Sequence, residues 1–433
     1  MSPRTFLETD RSPKEVHAQA HADSSIHCWY RLRLGYSDHL VGSIIDEFEV
    51  DPRREVVLDP FCGAGTTIVE CKKKGISSIG IDANPSSCFA TKVKTHWRIS
   101  ETEISSVLRK VEHLYARVRL QATEIGADQT FRYAKSAGLL ERGWICEQPL
   151  REAVAIKRAI LGVDTWKPYA NFLTLSLLSE VVEGASNIKF GPELYCGPPK
   201  HRADVFAGFK SRTLRMIEEL RQFRPKGKIR SRTFRGDSRN LSRVLDRKSR
   251  ITSVICSPPY PAEHDYTRNS RLELAFLEQV RDVEELRTIK KAMLRCHTKG
   301  IYKTDSDGDR ILLNSKIMEI AKEIEERASS QTSGFSRLYA SVVKEYFGGM
   351  LRHFESLLPL LKTGAKCAYI VGDQSNYLRV HIPTASVLGQ LAEQAGFECT
   401  GIRLWRTRQV NATRGTLNEN ILFLKKPQAV RFK

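Results

Sequence analysis

The sequence predicts an α/β protein, a doubly wound seven-stranded sheet interrupted by two large insertions. Three observations carry that prediction. Two short apolar runs, 55–59 (EVVLD) and 78–82 (SIGID), each end in an acid and are joined by a glycine turn and a helical stretch. The same alternation of apolar runs and helical periods resumes beyond about residue 229. Between and after these parts lie two long stretches, 101–228 and 262–340, in which the alternation is lost. At roughly 150 residues per domain, 433 residues allow two or three domains and an ample core.

Taken in order, residues 1–50 are a segment leading into the core, polar up to about residue 25. The run 55–59 is a buried strand. Gly63-Ala64-Gly65 is a turn, Thr66 and Thr67 are expected to cap a helix over 68–74, Gly75 ends it, and 78–82 is the next strand. Such a strand–helix–strand unit is the right-handed start of a parallel sheet. Within 101–228, residues 104–120 and 212–224 have helical spacing and 180–199 has the composition of a loop. Strands are expected again at 233–237 and 253–257, with a short helix at 272–277 in the second insertion. The core closes with a helix at 346–361, a strand at 367–371, a helix at 384–395 and strands at 399–405 and 420–424. The last two are separated by a 14-residue link without helical patterning, so they are expected to pair as an antiparallel hairpin at one edge. The core thus comprises 51–100, 229–261 and 341–428.

Lys+Arg 69 against Asp+Glu 50 gives +19, a field that favours polyanions. The run 210–235 concentrates this excess, with ten basic residues against two acids. It leads straight into the strand that ends at Asp237, so Arg221, Arg224, Lys226 and Lys228 are candidate phosphate contacts. Ten cysteines are scattered without a C-x-x-C pair, which fits reduced thiols in a cytoplasm and argues against a zinc ribbon or a dense disulfide framework. No run of about 18 apolar residues is present to span a bilayer, and charges occupy the first residues where a secretion signal needs an apolar stretch. Asp305, Asp307 and Asp309 lack the glutamate that a calcium loop would need downstream, so no metal site is expected.

Two segments carry the chemistry. In Asp59-Pro60-Phe61-Cys62-Gly63-Ala64-Gly65-Thr66-Thr67, glycines between a strand and a helix let the backbone approach a ligand closely. Asp82 closes the next strand 17 residues after Gly65, where a carboxylate can accept from both hydroxyls of a ribose. The spacing is neither G-x-G-x-x-G nor a phosphate loop, so a nucleoside without pyrophosphate fits better than NAD or ATP. The second segment, Ser257-Pro258-Pro259-Tyr260, follows an apolar strand. Its prolines fix a stiff, extended exit from the strand's carboxyl end and leave the Pro258 carbonyl free to accept. Cys62 and Cys256, which flank the two segments, read as small apolar fillers.

Together these residues resemble the amino-methyltransferase family of DNA modification enzymes. Residues 59–67 look like the family's D-P-F-x-G-x-G-T-T motif, 79–85 like its next strand, Gly236-Asp237-Ser238 like its third-strand motif, and Ser257–Tyr260 is its S-P-P-Y motif. The likeness covers about 50–100 and 229–428, outside both insertions. It implies a Rossmann-like methyltransferase sheet and S-adenosylmethionine as cofactor. Asp59, Phe61, Gly63, Gly65, Thr66 and Thr67 would line the cofactor, Asp82 would hold its ribose and Asp237 its adenine amino group. The insertions become candidates for target recognition, with 101–228 as the leading one and 262–340 as a DNA contact that includes Arg268. His27 to Phe48 occupies the place of a cofactor-flanking segment but matches poorly, so no site residue is carried over from it.

The chemistry agrees with that likeness. An exocyclic amino nitrogen is a poor nucleophile because its lone pair conjugates with the ring. Bonds accepted by Ser257 Oγ and the Pro258 carbonyl would favour a pyramidal nitrogen, while Tyr260 stacks on a base flipped out of the duplex. Ser257 resembles the cytosine-N4 enzymes, since adenine enzymes of the family more often carry Asp or Asn there. The expectation is a cytoplasmic, nucleoid-associated cytosine-N4 DNA methyltransferase, with a cognate restriction endonuclease as candidate partner. Adenine-N6 transfer, RNA transfer and a non-catalytic DNA-binding module are the alternatives.

Overall fold

The computed structural model describes residues 26–428 apart from 33–34, 191–193, 224–228, 247–248, 331–333 and 411–414. Strands are β1 (Val56–Asp59), β2 (Ser77–Asp82), β3 (Ile188–Phe190), β4 (Leu194–Cys196), β5 (Ser231–Arg235), β6 (Ile251–Cys256), β7 (Leu361–Gly372), β8 (Glu398–Val410) and β9 (Gly415–Lys425). Seven of them form one sheet in the order β5-β2-β1-β6-β7-β9-β8, while β3 and β4 make a separate antiparallel pair. β1, β2, β5, β6 and β7 run parallel, and β9 is antiparallel to both of its neighbours. The chain winds outward from β1 through β2 to β5, then returns to the other side of β1 with β6. β1 and β6 therefore flank the switch point, where an open α/β sheet leaves a crevice at its carboxyl edge. The doubly wound, Rossmann-like sheet expected from the sequence is the one observed, with its antiparallel hairpin at the β8 edge.

Three apolar clusters hold the molecule. One lies under helices Tyr339–Leu357 and Thr384–Gln394 on one sheet face. A smaller one lies under helix Asp38–Glu47 on the other, where Leu40, Val41, Ile44 and Ile45 meet Val57, Ile255 and Ile370. The third belongs to the first insertion, which is helical over Glu101–Val118, Ala122–Gly126, Gln129–Ser136, Glu147–Gly162, Lys167–Ser179 and Val205–Gln222. The second insertion is divided between cores. Leu272, Phe276, Leu286 and Ile289 join the first insertion's cluster, while Ile311, Ile317, Ile320 and Ile324 pack beneath Tyr339–Leu357.

Some local expectations are corrected. Helix Thr66–Lys73 is not capped by a threonine: Gly65, at φ 87, takes the cap position, and Thr67 Oγ1 instead donates to the Ile255 carbonyl of β6 at 3.2 Å. Residues 180–185 form a wide π-helical turn rather than a loop, because Val181, Val182 and Ala185 are buried. The Glu180 carboxylate lies against Gly184 and Gly208, where an added Cβ would come within 1.7 and 2.3 Å of it, and Arg212 Nε donates to it at 2.6 Å. The 14-residue link is mostly strand: β8 and β9 continue pairing through Thr407↔Asn418, Gln409↔Thr416 and Val410↔Gly415. Thr407, Gln409 and Thr416 are polar and exposed, so this stretch gives little apolar alternation to read.

Candidate active site

All the singled-out segments lie on one edge. β1 delivers the glycine loop, β2 ends at Asp82, β5 leads to Asp237, and β6 leads to Ser257, each at a carboxyl end. Cys62 N donates to the Ile81 carbonyl at 2.9 Å and Gly236 N to the Asp82 carbonyl at 3.0 Å, so three strand ends are stitched side by side.

The glycine loop is tight for steric reasons. Gly63 and Gly65 have φ 50 and 87, a left-handed backbone that favours glycine. An added Cβ would also come within 2.7 Å of Leu32 at Gly63 and 2.8 Å of Thr91 at Gly65. Asp82 braces this loop, its Oδ2 accepting from Gly63 N at 2.9 Å and its Oδ1 from Asn84 N at 2.7 Å. Asp59 is fully buried. It accepts from Phe61 N at 3.0 Å and from the Tyr36 hydroxyl at 2.9 Å, and Tyr36 also meets Thr67 Oγ1. Burial pushes the Asp59 carboxyl up to about 7 and the Asp82 carboxyl up to about 6, against the N–H bonds that each accepts. Two carboxyls of raised pKa beside a close-approach glycine loop suit a cationic ligand. S-adenosylmethionine, which combines a ribose with a sulfonium and an ammonium, fits these residues.

Phe61 packs on His353, ring centroids 5.0 Å apart. His353 Nδ1 lies 2.8 Å from the Ser238 carbonyl and so carries the proton. Its Nε2 then accepts from the Tyr369 hydroxyl at 2.8 Å, and burial lowers its pKa to about 4, keeping the ring neutral. Asp237 caps the turn Ser238–Arg243 and is held by Arg239, whose Nη2 lies 2.8 Å from Oδ2. Arg239 reaches on to Asp307 of the second insertion at 2.7 Å.

On the β6 side the Ser257 and Tyr260 hydroxyls lie 3.3 Å apart, and Tyr260 donates to the Ile370 carbonyl at 3.4 Å. With that proton directed to Ile370, Ser257 donates to Tyr260 and keeps its lone pairs for an incoming N–H. The Tyr260 ring lies against β7 at Gly372, where a Cβ would come within 3.2 Å of it. Cys62 and Cys256 are both buried, as filler positions require. The segment after the motif is a capped turn: Asp265 accepts from Arg268 N at 3.0 Å and Thr267 Oγ1 at 2.6 Å, and pairs with Lys290 at 2.7 Å.

The basic run is partly neutralised. Lys210 pairs with Glu112, Arg212 with Glu180 and Glu183, and Arg221 with Glu101 and Glu218. Arg224, Lys226 and Lys228 lie outside the described residues. Sequence reasoning did not single out Tyr36, His353 or Arg239. It did note Asp307, but only as a rejected metal ligand, and Asp307 pairs with Arg239 and Arg352. No helix among the described residues is long and apolar enough to cross a membrane.

The glycine loop on β1 and the S-P-P-Y exit from β6 thus stand side by side at the switch point of the sheet. A family model described as DNA methylase matches residues 39–92. The Type II methyltransferase M.BsoBI of Geobacillus stearothermophilus is 25% identical over 96% of this chain and 88% of its own length. The Type II methyltransferase M.AvaI of Nostoc sp. is 24% identical over 97% and 90%. M.MjaII of Methanocaldococcus jannaschii, also a Type II methyltransferase, is 50% identical over 40 residues, 9% of this chain and 8% of that one. The chain is thus similar to a DNA methylase family over residues 39–92 and, at 24–25% identity, to Type II methyltransferases over nearly its whole length.

Proposed function

We propose that this protein is a site-specific DNA methyltransferase that methylates the N4 amino group of cytosine, with S-adenosylmethionine as donor, in a restriction–modification setting. The observation that carries the reading is the exit of Ser257-Pro258-Pro259-Tyr260 from β6, directly across the switch point from the glycine loop on β1. When bound, the cofactor supplies an electrophilic methyl group. Asp59, Asp82, Phe61 and the glycine loop bind and orient it, while Asp237, set by Arg239, takes the adenine amino group. Ser257 Oγ and the Pro258 carbonyl accept the two amino hydrogens of the target base, and Tyr260 stacks on its ring. The transfer then rests on positioning and electrostatics. Cytosine is favoured by Ser257 at the motif's first position. DNA is favoured by the names of the near full-length relatives.

A mass-spectrometric nucleoside digest of DNA and total RNA from cells expressing the protein tests this. N4-methylcytosine in DNA is expected. N6-methyladenine would move the assignment to adenine, and new methylation confined to RNA would overturn the polymer.

The cofactor assignment has two measurable consequences. Asp82→Ala should weaken S-adenosylmethionine binding by about 1–3 kcal/mol, since it removes a charge-assisted acceptor and frees the Gly63 N–H. Calorimetry that returned wild-type affinity would sink the ribose role. The second consequence is pH dependence. Burial raises both folded-state pKa values, so these groups' contribution to stability is complete below their unfolded range near 4 and is lost as pH rises through about 6 and 7. A cationic ligand favours the ionised forms. Its affinity should therefore rise about tenfold or more between roughly pH 5.5 and 8, and the ligand-induced melting shift should grow over the same interval. A flat affinity across that interval would separate these carboxyls from the ligand.

A further inference from the structure

Pairing of β7 with β9 ends at Gly372↔Glu419, yet β8 and β9 go on pairing through Thr407↔Asn418, Arg408↔Leu417, Gln409↔Thr416 and Val410↔Gly415. At about 3.4 Å per residue, the hairpin overhangs the carboxyl edge by on the order of 10 Å, two strands away from the S-P-P-Y exit. Its base is fixed by Arg406, which closes on Glu419. Arg408 follows two residues on, at the position whose side chain shares Arg406's face of the strand.

Arg408, like Arg158 and Arg271, is a half-buried arginine without a carboxylate partner among the described residues, and of these three it is the one carried by the overhanging hairpin. Arg212, Arg239, Arg295, Arg403 and Arg406 each hold a carboxylate, whereas Arg408 has none within ion-pair distance among the described residues. Its Nε is buried without a partner. Its Nη2 makes only a long bond of 3.4 Å to Oε1 of Gln374, a buried amide oriented by donating to the Gly372 carbonyl at 2.9 Å. Arg408 also acts electrostatically on the Tyr260 hydroxyl, so its charge lies close to the catalytic motif. A buried guanidinium edge with no anion is costly unless an anion arrives, and a planar fork fits a phosphodiester's two free oxygens.

We infer that the overhanging β8–β9 hairpin is a DNA-backbone clamp in which Arg408 takes a phosphate beside the extruded base. The inference rests on the reading that duplex DNA is the substrate. A phosphate contact fixes register without reading sequence, so the clamp should act equally on any duplex.

The test uses the full chain with Arg408→Gln and Arg408→Lys, measuring affinity for fluorescent duplexes of unrelated sequence across a salt series. Arg408→Gln should flatten the slope of log K against log[salt] by about 0.9 and weaken low-salt binding about tenfold on every duplex. KM for DNA should rise with kcat nearly unchanged, and S-adenosylmethionine affinity should hold. Arg408→Lys should keep the wild-type slope. An unchanged slope in a folded Arg408→Gln protein, or equal loss of slope in Arg408→Lys, overturns the clamp while leaving the substrate reading intact. Wild-type protein that transfers no methyl group into DNA overturns the substrate reading, and the DNA clamp with it.

Discussion

Tyr260→Ala is expected to lower methyl transfer by about 10³-fold while S-adenosylmethionine still binds. Base–aromatic stacking contributes about 1–3 kcal/mol per base, which alone gives up to about 100-fold. The remainder comes from Ser257. Its hydroxyl lies 3.3 Å from that of Tyr260, so removing the ring frees the acceptor to rotate, and small misplacements of reacting groups are costly. Tyr260→Phe separates the two contributions: it keeps the stacking face and loses only the hydroxyl, so a loss nearer tenfold is expected. Transfer from tritiated S-adenosylmethionine measures both, with calorimetry for the cofactor. Tyr260→Ala retaining the wild-type rate would remove the stacking role. Intact biological activity without transfer would favour a binding module built on a vestigial fold.

Legibility in the sequence followed locality. β1, β2 and the turn between them could be read because a short apolar run, an acid and two glycines lie within a few residues of one another. Their mutual position then follows from handedness. The β6 exit was equally plain, since two prolines end a strand by covalent geometry. Asp82 was placed correctly at a strand end, but its bonds to Gly63 and Asn84 depend on a loop folding back, and periodicity does not report that.

In the first insertion the helical spacing at 104–120 and 212–224 falls on helices Glu101–Val118 and Val205–Gln222, but the helices between them escaped for a different reason. Glu147–Gly162 buries Leu150, Ala153, Val154, Ala155, Ile156, Ala159 and Ile160, so its apolar stripe is too wide to show a clear 3.6 period. Tyr36 lies in a segment without a motif and acquires meaning only where its hydroxyl meets Asp59. Charge was the most misleading signal. The run containing Arg221 is dense along the chain, but acids from other helices fold onto it, whereas Arg408 looks ordinary in sequence and has no carboxylate partner among the described residues.

Arg239 shows how far such a hidden contact can reach. Gly-Asp-Ser-Arg reads as one strand-end motif, yet the arginine joins Asp237 at the sheet edge to Asp307, 68 residues further along the chain. Gly348 makes room for that approach, since a Cβ there would come within 1.9 Å of the Asp307 carbonyl. Arg239→Met would leave Asp307 buried with only Arg352, and Asp237 with no guanidinium. Breaking a buried ion pair from one side typically costs about 3–5 kcal/mol, and that loss is expected in chemical denaturation near pH 7. Burial pushes the Asp307 carboxyl up, but Arg239 and Arg352 outweigh it and hold the group below its ordinary value. Stability from a lowered pKa is present above the unfolded value near 4 and is lost as pH falls through the folded one. The gap between wild type and Arg239→Met should therefore narrow as pH drops below about 4. Adding Asp307→Asn to Arg239→Met should recover part of the loss, because the double variant no longer buries that charge. Cofactor affinity should not recover with it, since Asp237 still lacks the guanidinium that sets it. A double variant that regained both together would make Arg239 a brace for the second insertion alone.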